Sequence, residues 1–222
     1  RVDAHLRGAI DDPGLAARVR AWAARLPGPM ARHTHLGLSV MSLQQLTTSL
    51  CLARHLTRRH DLQVVLGGSL ITGRLAPLLE RYPFVHHLVL GEGEEPLWRL
   101  VRGDDPAAIP NLITRRHGRV VRGPRRSCPG QDLAPDFSDL PLQRYRQREL
   151  LVLPIEMSKG CRNRCAFCIT GRQPVRLKPP HEVLAELSRG RHDHGARGFM
   201  AVDNAINISL AHAEQICRAI VD

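Results

Sequence analysis

Glu156-Met157-Ser158-Lys159-Gly160-Cys161-Arg162-Asn163-Arg164-Cys165-Ala166-Phe167-Cys168 holds three of the chain's six cysteines, spaced C-x3-C-x2-C, with an aromatic residue directly before the third. Thiolates this close along the chain can close around one metal centre without help from distant residues. Three are too few to complete a tetrahedral zinc site. They suit a cubane iron–sulfur cluster that keeps one iron open, and an open iron can bind and reduce a small molecule. The stretch is therefore a candidate active site. Other readings remain at this stage. The spacing could place the cysteines on one helix face as small hydrophobes, although polar Arg162, Asn163 and Arg164 and the helix-breaking Gly160 oppose that. Zinc would need His181 or Cys128 as a fourth ligand, and the chain has no second C-x-x-C pair. A disulfide would leave one thiol over.

With the turn Ser158-Lys159-Gly160 before it, the C-x3-C-x-aromatic-C run resembles the cluster loop of the radical S-adenosylmethionine enzymes. The resemblance implies that Cys161, Cys165 and Cys168 hold a 4Fe–4S cluster. It also implies that S-adenosylmethionine chelates the fourth iron and is cleaved to a 5′-deoxyadenosyl radical, with Phe167 beside the adenine. In such enzymes the cofactor carries the hard chemistry while the protein positions it and excludes water.

The 222 residues allow one or two domains with an ample core. A hydrophobic share of 43% and a charged share of 24% are ordinary for a globular protein. No run of about 18 apolar residues suggests a membrane span, and no signal peptide opens the chain. A cytoplasmic setting with reduced thiols follows as an expectation. The net charge of +11 invites a nucleic-acid reading. Yet the basic residues are nearly all arginine, spread along the chain, and aromatics make up only 4%. That pattern argues against a stacking platform for nucleic acid.

Taken in order, residues 1–6 suggest a short strand, and Asp12-Pro13 starts a helix with an N-cap and a proline at its first position. Leu15, Val19, Trp22 and Leu26 predict its inner stripe. Strands are expected over 35–41, 62–66 and 85–90, with helices over 43–59, 75–81 and 96–101 between and after them. Leu43, Leu46, Leu50 and Ala53 are expected inside, with Cys51 near them. Strand and helix alternate through short connections, which argues for a doubly wound parallel sheet of flavodoxin-like type. Ligands in such sheets sit beyond the carboxyl ends of the strands.

Gly37-Leu38-Ser39-Val40-Met41, Val64-Val65-Leu66-Gly67-Gly68-Ser69 and Gly91-Glu92-Gly93-Glu94 are similar to the cobalamin-binding domain of one radical enzyme subgroup. The resemblance carries Ser39, Gly67 and Gly68 over as lining for the nucleotide tail, with Met41 where leucine is usual. Glu92 and Glu94 serve either that site or the cap of the following helix. Asp3-Ala4-His5-Leu6-Arg7-Gly8 formally fits D-x-H-x-x-G, whose histidine ligates cobalt in other cobalamin proteins. Only two residues precede Asp3, so residues 1–8 read instead as the second strand region of a domain whose first strand is missing.

Residues 111–114 and 119–121 flank His117-Gly118 and suit a hairpin, and 134–141 read as a linker. A strand over 150–155 delivers the cysteine loop. A helix over 180–188 follows, with Val183, Leu184 and Leu187 inward. His192-Asp193-His194-Gly195 reads as a solvated turn, then comes a strand over 198–202 ending at Asp203-Asn204, and a helix over 210–221 with Ile216 and Cys217 inside. In the resembled family that strand edge contacts the amino group of S-adenosylmethionine, so Asp203 is a candidate contact beside its alternative as a helix cap. The expected organisation is a cobalamin-binding-like domain over 1–105, a hairpin and linker over 106–149, and the first two strand–helix units of a partial α/β barrel over 150–222. Two units are few for such a barrel, and the chain reads as a fragment of a larger enzyme.

The expected function is that of a radical S-adenosylmethionine enzyme with 4Fe–4S cluster, S-adenosylmethionine and cobalamin, methylating carbon in a peptide or small molecule during natural-product biosynthesis. Residues 153–161 further resemble the group that modifies ribosomally made peptides. A flavodoxin or ferredoxin is the expected electron donor. The rivals are a radical transfer-RNA methylthiotransferase, which would carry a further cysteine trio near its start, and a non-catalytic module that holds cobalamin or a cluster.

Overall fold

A computed structural model describes residues 6, 8–26, 32–126, 134–146, 150–163, 165, 166, 168 and 174–221. In it the chain divides into two units, Arg1–Gln131 and Asp132–Asp222. The first unit is built on the parallel strands β1 (His35–Ser39), β2 (Gln63–Gly67) and β3 (His87–Val89). A hairpin of β4 (Leu112–Arg116) and β5 (Arg119–Arg122) extends the sheet antiparallel, in the order β1-β2-β3-β4-β5. The hairpin turn is two residues, His117 at φ 50° and Gly118 at φ 77°, and paired positive angles match the right-handed twist of the strands.

Both faces of this sheet are covered, and the alternation of side chains along a strand decides which residue serves which face. Val64, Leu66, Leu88 and Ile113 join one cluster with Leu46, Leu50, Ala53 and Leu56 of α2 (Leu43–Thr57) and Leu78 and Leu79 of α3 (Leu78–Arg81). Val65, Val89 and Leu112 form a second with Ile109 and with Leu100 of α4 (Glu94–Val101). Before β1 lies α1 (Pro13–Ala23), capped by the Asp12 carboxylate, which accepts from the Leu15 N–H at 2.5 Å. The flavodoxin-like expectation therefore holds for the parallel core.

Three readings need correction. Leu6 and residues 8–10 are helical, not a strand. Leu6 and Ile10 stand four apart and are both buried, a helical pairing that a short apolar run hides. Trp22 and Leu43 lie outside, at 53% and 49% exposure; Leu43 is the first residue of its helix, ahead of the turn whose Leu46 and Leu50 are buried. The helix after Asp12 stops at Ala23, short of Leu26.

The second unit pairs β6 (Val152–Ile155) with β9 (Gly198–Ala201) in parallel, register Val152↔Gly198 to Ile155↔Ala201. Helices α5 (Pro180–His194) and α6 (Leu210–Val221) follow the two strands, giving two strand–helix units. One sheet face packs Ile155 and Phe199 with Val183, Leu187 and Ile216 from these helices. A second patch joins Leu151, Leu153 and Ala196 with Phe137 and Leu142 from the segment 134–146. Gly190 of α5 lets the helix lie on the Phe199 ring, where a Cβ would stand 2.7 Å from a ring carbon. The opposite face leaves Val152, Met200 and Val202 exposed.

Here α5 runs on through His192-Asp193-His194, which reads as a turn in the sequence. It stops only at Gly195, a left-handed cap at φ 70° whose N–H donates to the Arg191 and Gly190 carbonyls. Cys217 is exposed rather than core. Among the described residues no helix is long and apolar enough to cross a membrane.

Candidate metal centre

The carboxyl ends of β6 and β9 lie side by side, and each sends on a segment that the other fixes. After Ile155 the chain turns through Glu156 and Met157 into the short strand β7 (Ser158–Lys159), then Gly160 at φ 83° opens the cysteine loop. The chain returns in β8 (Arg176–Leu177), antiparallel to β7 with Ser158↔Leu177 and Lys159↔Arg176. The cysteines thus sit on an excursion whose two arms are hydrogen-bonded at its base.

Asp203, just beyond β9, holds the entry arm. Its carboxylate accepts from the Met157 N–H at 3.1 Å and from the Ser158 hydroxyl at 2.6 Å. Asn204 donates to the Gly160 carbonyl at 3.4 Å, and Arg162 donates to the Ile208 carbonyl. The helix-cap alternative for Asp203 does not describe these bonds; both oxygens are spent on the root of the loop. Glu156 lies 3.6 Å from Lys159, and burial pushes its carboxyl up against the opposing pull of that ammonium.

Cys161 is buried at the root, whereas Cys165 and Cys168 are exposed and linked by a backbone turn in which the Cys168 N–H donates to the Cys165 carbonyl at 3.1 Å. None of the five described cysteines is in a disulfide. Among the described residues, no three His, Cys, Asp or Glu side chains stand together closely enough to hold a metal ion. The helix-packing alternative fails as well, since two of the three thiols face outward. In donor chemistry the trio fits an iron–sulfur cluster: three thiols within eight residues on one tethered loop. Phe167, Arg164, His5 and Cys128 lie outside the described residues.

The sequence reading missed the exit arm. Lys178, next after β8, is buried with its ammonium 2.8 Å and 3.0 Å from the two carboxylate oxygens of Glu186 on α5. The chain has two lysines among 32 basic residues, Lys159 and Lys178, and they stand on the two arms of this loop. That placement was the available signal.

In the first unit, Ser39 and Gly67 are register partners at the carboxyl edge of β1 and β2. Gly68 follows at φ 95°, where a Cβ would lie 2.6 Å from the Val40 backbone, so the close approach of Val40 already accounts for that glycine. Gly67 and Gly91 have more room: a Cβ would meet only Val89 at 3.8 Å at the first and nothing within 4 Å at the second. Glu94 opens α4 in its first turn, where a carboxylate complements the helix dipole.

No protein-family model matches the chain. The chain is 31% identical over 186 residues to the 2-(S-pantetheinyl)-carbapenam-3-carboxylate methyltransferase of Streptantibioticus cattleyicolor, covering 77% of this chain and 27% of that protein. The radical S-adenosylmethionine methyltransferase TsrM of Kitasatospora setae superposes at TM-score 0.64 with 22% identity, over 95% of this chain and 43% of that one. Another structure of TsrM holds cobalamin and a [4Fe-4S] cluster. OxsB, a cobalamin-dependent S-adenosylmethionine radical enzyme solved with aqua-cobalamin and S-adenosylmethionine, matches at TM-score 0.63 with 17% identity, over 94% of this chain and 30% of that one. The fold is that of the cobalamin-dependent radical S-adenosylmethionine enzymes. The chain spans between 27% and 36% of the length of the curated relatives it matches.

Proposed function

We propose that the chain is the cofactor-binding part of a radical S-adenosylmethionine enzyme, with Cys161, Cys165 and Cys168 as the thiolate ligands of a 4Fe–4S cluster. One observation carries this reading: the carboxyl ends of two parallel strands deliver a three-cysteine loop and, beside it, the carboxylate that fixes the loop's root. A cluster bound there supplies one-electron cleavage of S-adenosylmethionine at its open iron. The residues of the chain do the rest. Asp203 and Asn204 hold the backbone at 157–160 in place, and Gly160 permits the sharp exit into the loop. Cys161, buried, and Cys165 and Cys168, exposed, would hold such a cluster.

Cobalamin is proposed for the carboxyl edge of the first unit, at Ser39, Gly67 and Gly68, where no neighbour crowds the backbone at Gly67 and Gly91. Methyl transfer to carbon of a peptide or small molecule, with electrons from a flavodoxin or ferredoxin, completes the proposal. Its support is the likeness to methyltransferases of small substrates.

The test is anaerobic reconstitution with iron and sulfide, then addition of S-adenosylmethionine and a strong reductant. The expected outcome is a charge-transfer absorbance lost when all three cysteines are replaced by alanine, together with release of 5′-deoxyadenosine. A cluster without any such product leaves a binding module. No cluster at all overturns the reading.

A further inference from the structure

We propose that Lys178 is a positioning residue of the cysteine loop, acting through a buried pair with Glu186 that fixes the loop's exit arm and so sets how tightly the cluster is held. The inference rests on the reading of Cys161, Cys165 and Cys168 as cluster ligands.

Three elements meet at this one residue. Its ammonium is bonded to both oxygens of Glu186 on α5, with the two side chains only 6% and 8% exposed. Its backbone N–H donates to the Met157 carbonyl on the entry arm at 2.9 Å. Its carbonyl accepts from the His212 Nε2–H on α6 at 2.7 Å. The ladder between β7 and β8 has two residue pairs, too few for a stable hairpin by itself. What closes the loop is this junction on the exit side and Asp203 on the entry side.

A buried ion pair is weak evidence of stabilisation, because removing both charges from water offsets most of their attraction. Such a pair does fix geometry, since each charge accepts little but its partner at a set distance. Here the fixed point lies directly after the strand that returns from the ligands. A slip of the exit arm would move the return of the loop while the entry arm stayed on Asp203, and the thiolates would no longer meet one cluster together. Groups that orient ligands from behind in this way change metal affinity by about 10- to 100-fold when removed.

The experiment compares the rate at which a chelator strips iron from the anaerobically reconstituted chain, followed by the charge-transfer absorbance. Lys178→Met is expected to lose the cluster about 10- to 100-fold faster than the unaltered chain. Because it strands the Glu186 charge, the double variant Lys178→Met/Glu186→Leu removes both charges together and keeps the fold. It is expected to lose the cluster about 10-fold faster at an unchanged melting temperature. Leu151→Val thins the same unit's core in the cluster with Leu153 and Ala196, which contains none of the residues bonded to Lys178, and is expected to keep the unaltered rate. Equal rates for the double variant and the unaltered chain overturn the role of Lys178 while leaving the cluster reading intact. So does equal acceleration by Leu151→Val. If the unaltered chain takes up no cluster, the functional reading fails and this inference with it.

Discussion

The two sheets of this chain meet different surroundings: β2 and β3 bury consecutive residues, whereas β6 buries every other one. In the first unit, Val64 and Leu66 point into one cluster and Val65 into another, so each strand is covered on both sides. In the second, Ile155 and Phe199 are covered by α5 and α6, while Val152 and Met200 on the other face stay exposed. The covered sheet supplies rigidity to a glycine-lined edge. The half-covered one supplies a fixed platform for a loop, held by specific polar bonds at its root. A core residue should therefore matter greatly in the first unit, and an outer-face residue little in the second.

The largest effect is expected for Leu66→Ala, which empties a fully buried site in the middle of the covered sheet and should cost about 3–4 kcal/mol. Both tryptophans, Trp22 and Trp98, belong to the first unit, so urea unfolding followed by their fluorescence reads this unit. A cost below about 1 kcal/mol would erase the difference between the two sheets.

Acid should come next. Burial pushes His87 down from 6.5 to about 4. Above pH 6.5 the ring is neutral whether the chain is folded or not. Between 6.5 and 4 the unfolded chain takes up the proton first, so the first unit should lose on the order of 2–3 kcal/mol as pH falls through that window. His87→Leu should flatten the dependence in the same fluorescence measurement.

Gly68→Ala should cost about 1–2 kcal/mol through its left-handed backbone alone, and the contact with Val40 would displace the end of β1 as well. Amide exchange at Val40, whose N–H donates to the Gly67 carbonyl at 2.7 Å, should quicken with it. The smallest effect is expected for Met200→Gln on the outer face of β9, within about 0.5 kcal/mol by thermal unfolding. A cost near that of Leu66→Ala would show this face to be buried after all.

Much of this was legible in the sequence because short apolar runs, turn residues and helical spacings are strong local signals. Val64-Val65-Leu66 is an apolar run ended by Gly67-Gly68, His117-Gly118 marks the hairpin turn, and Leu151, Leu153 and Ile155 alternate along the segment that delivers the cysteine loop. Spacing gives the direction of an apolar stripe but neither its width nor where along the helix burial begins, which is why Trp22, Cys217 and the first helical residue Leu43 were placed inside and lie outside. Helix ends are also weakly marked when polar residues continue the helix, and α5 passes through His192-Asp193-His194 until Gly195 stops it. Of the candidate site, the cysteine spacing and the position of Asp203 at a strand end could be read directly. What Asp203 bonds could not, since Met157 and Ser158 are more than forty residues away along the chain and reach it only through the pairing of β6 with β9. The Lys178–Glu186 pair was hidden for a related reason: eight residues apart on a strand end and a helix, it has no sequence period to announce it.

The unequal burial of the three loop cysteines makes the protein age unevenly in air. Oxidation follows thiolate exposure, so Cys165 and Cys168 would be consumed while Cys161, sheltered at the root, survives. On the proposed reading of these three as cluster ligands, material purified aerobically would keep one usable sulfur of three, and a reducing agent given before iron would restore the others only as far as they remain reversibly oxidised.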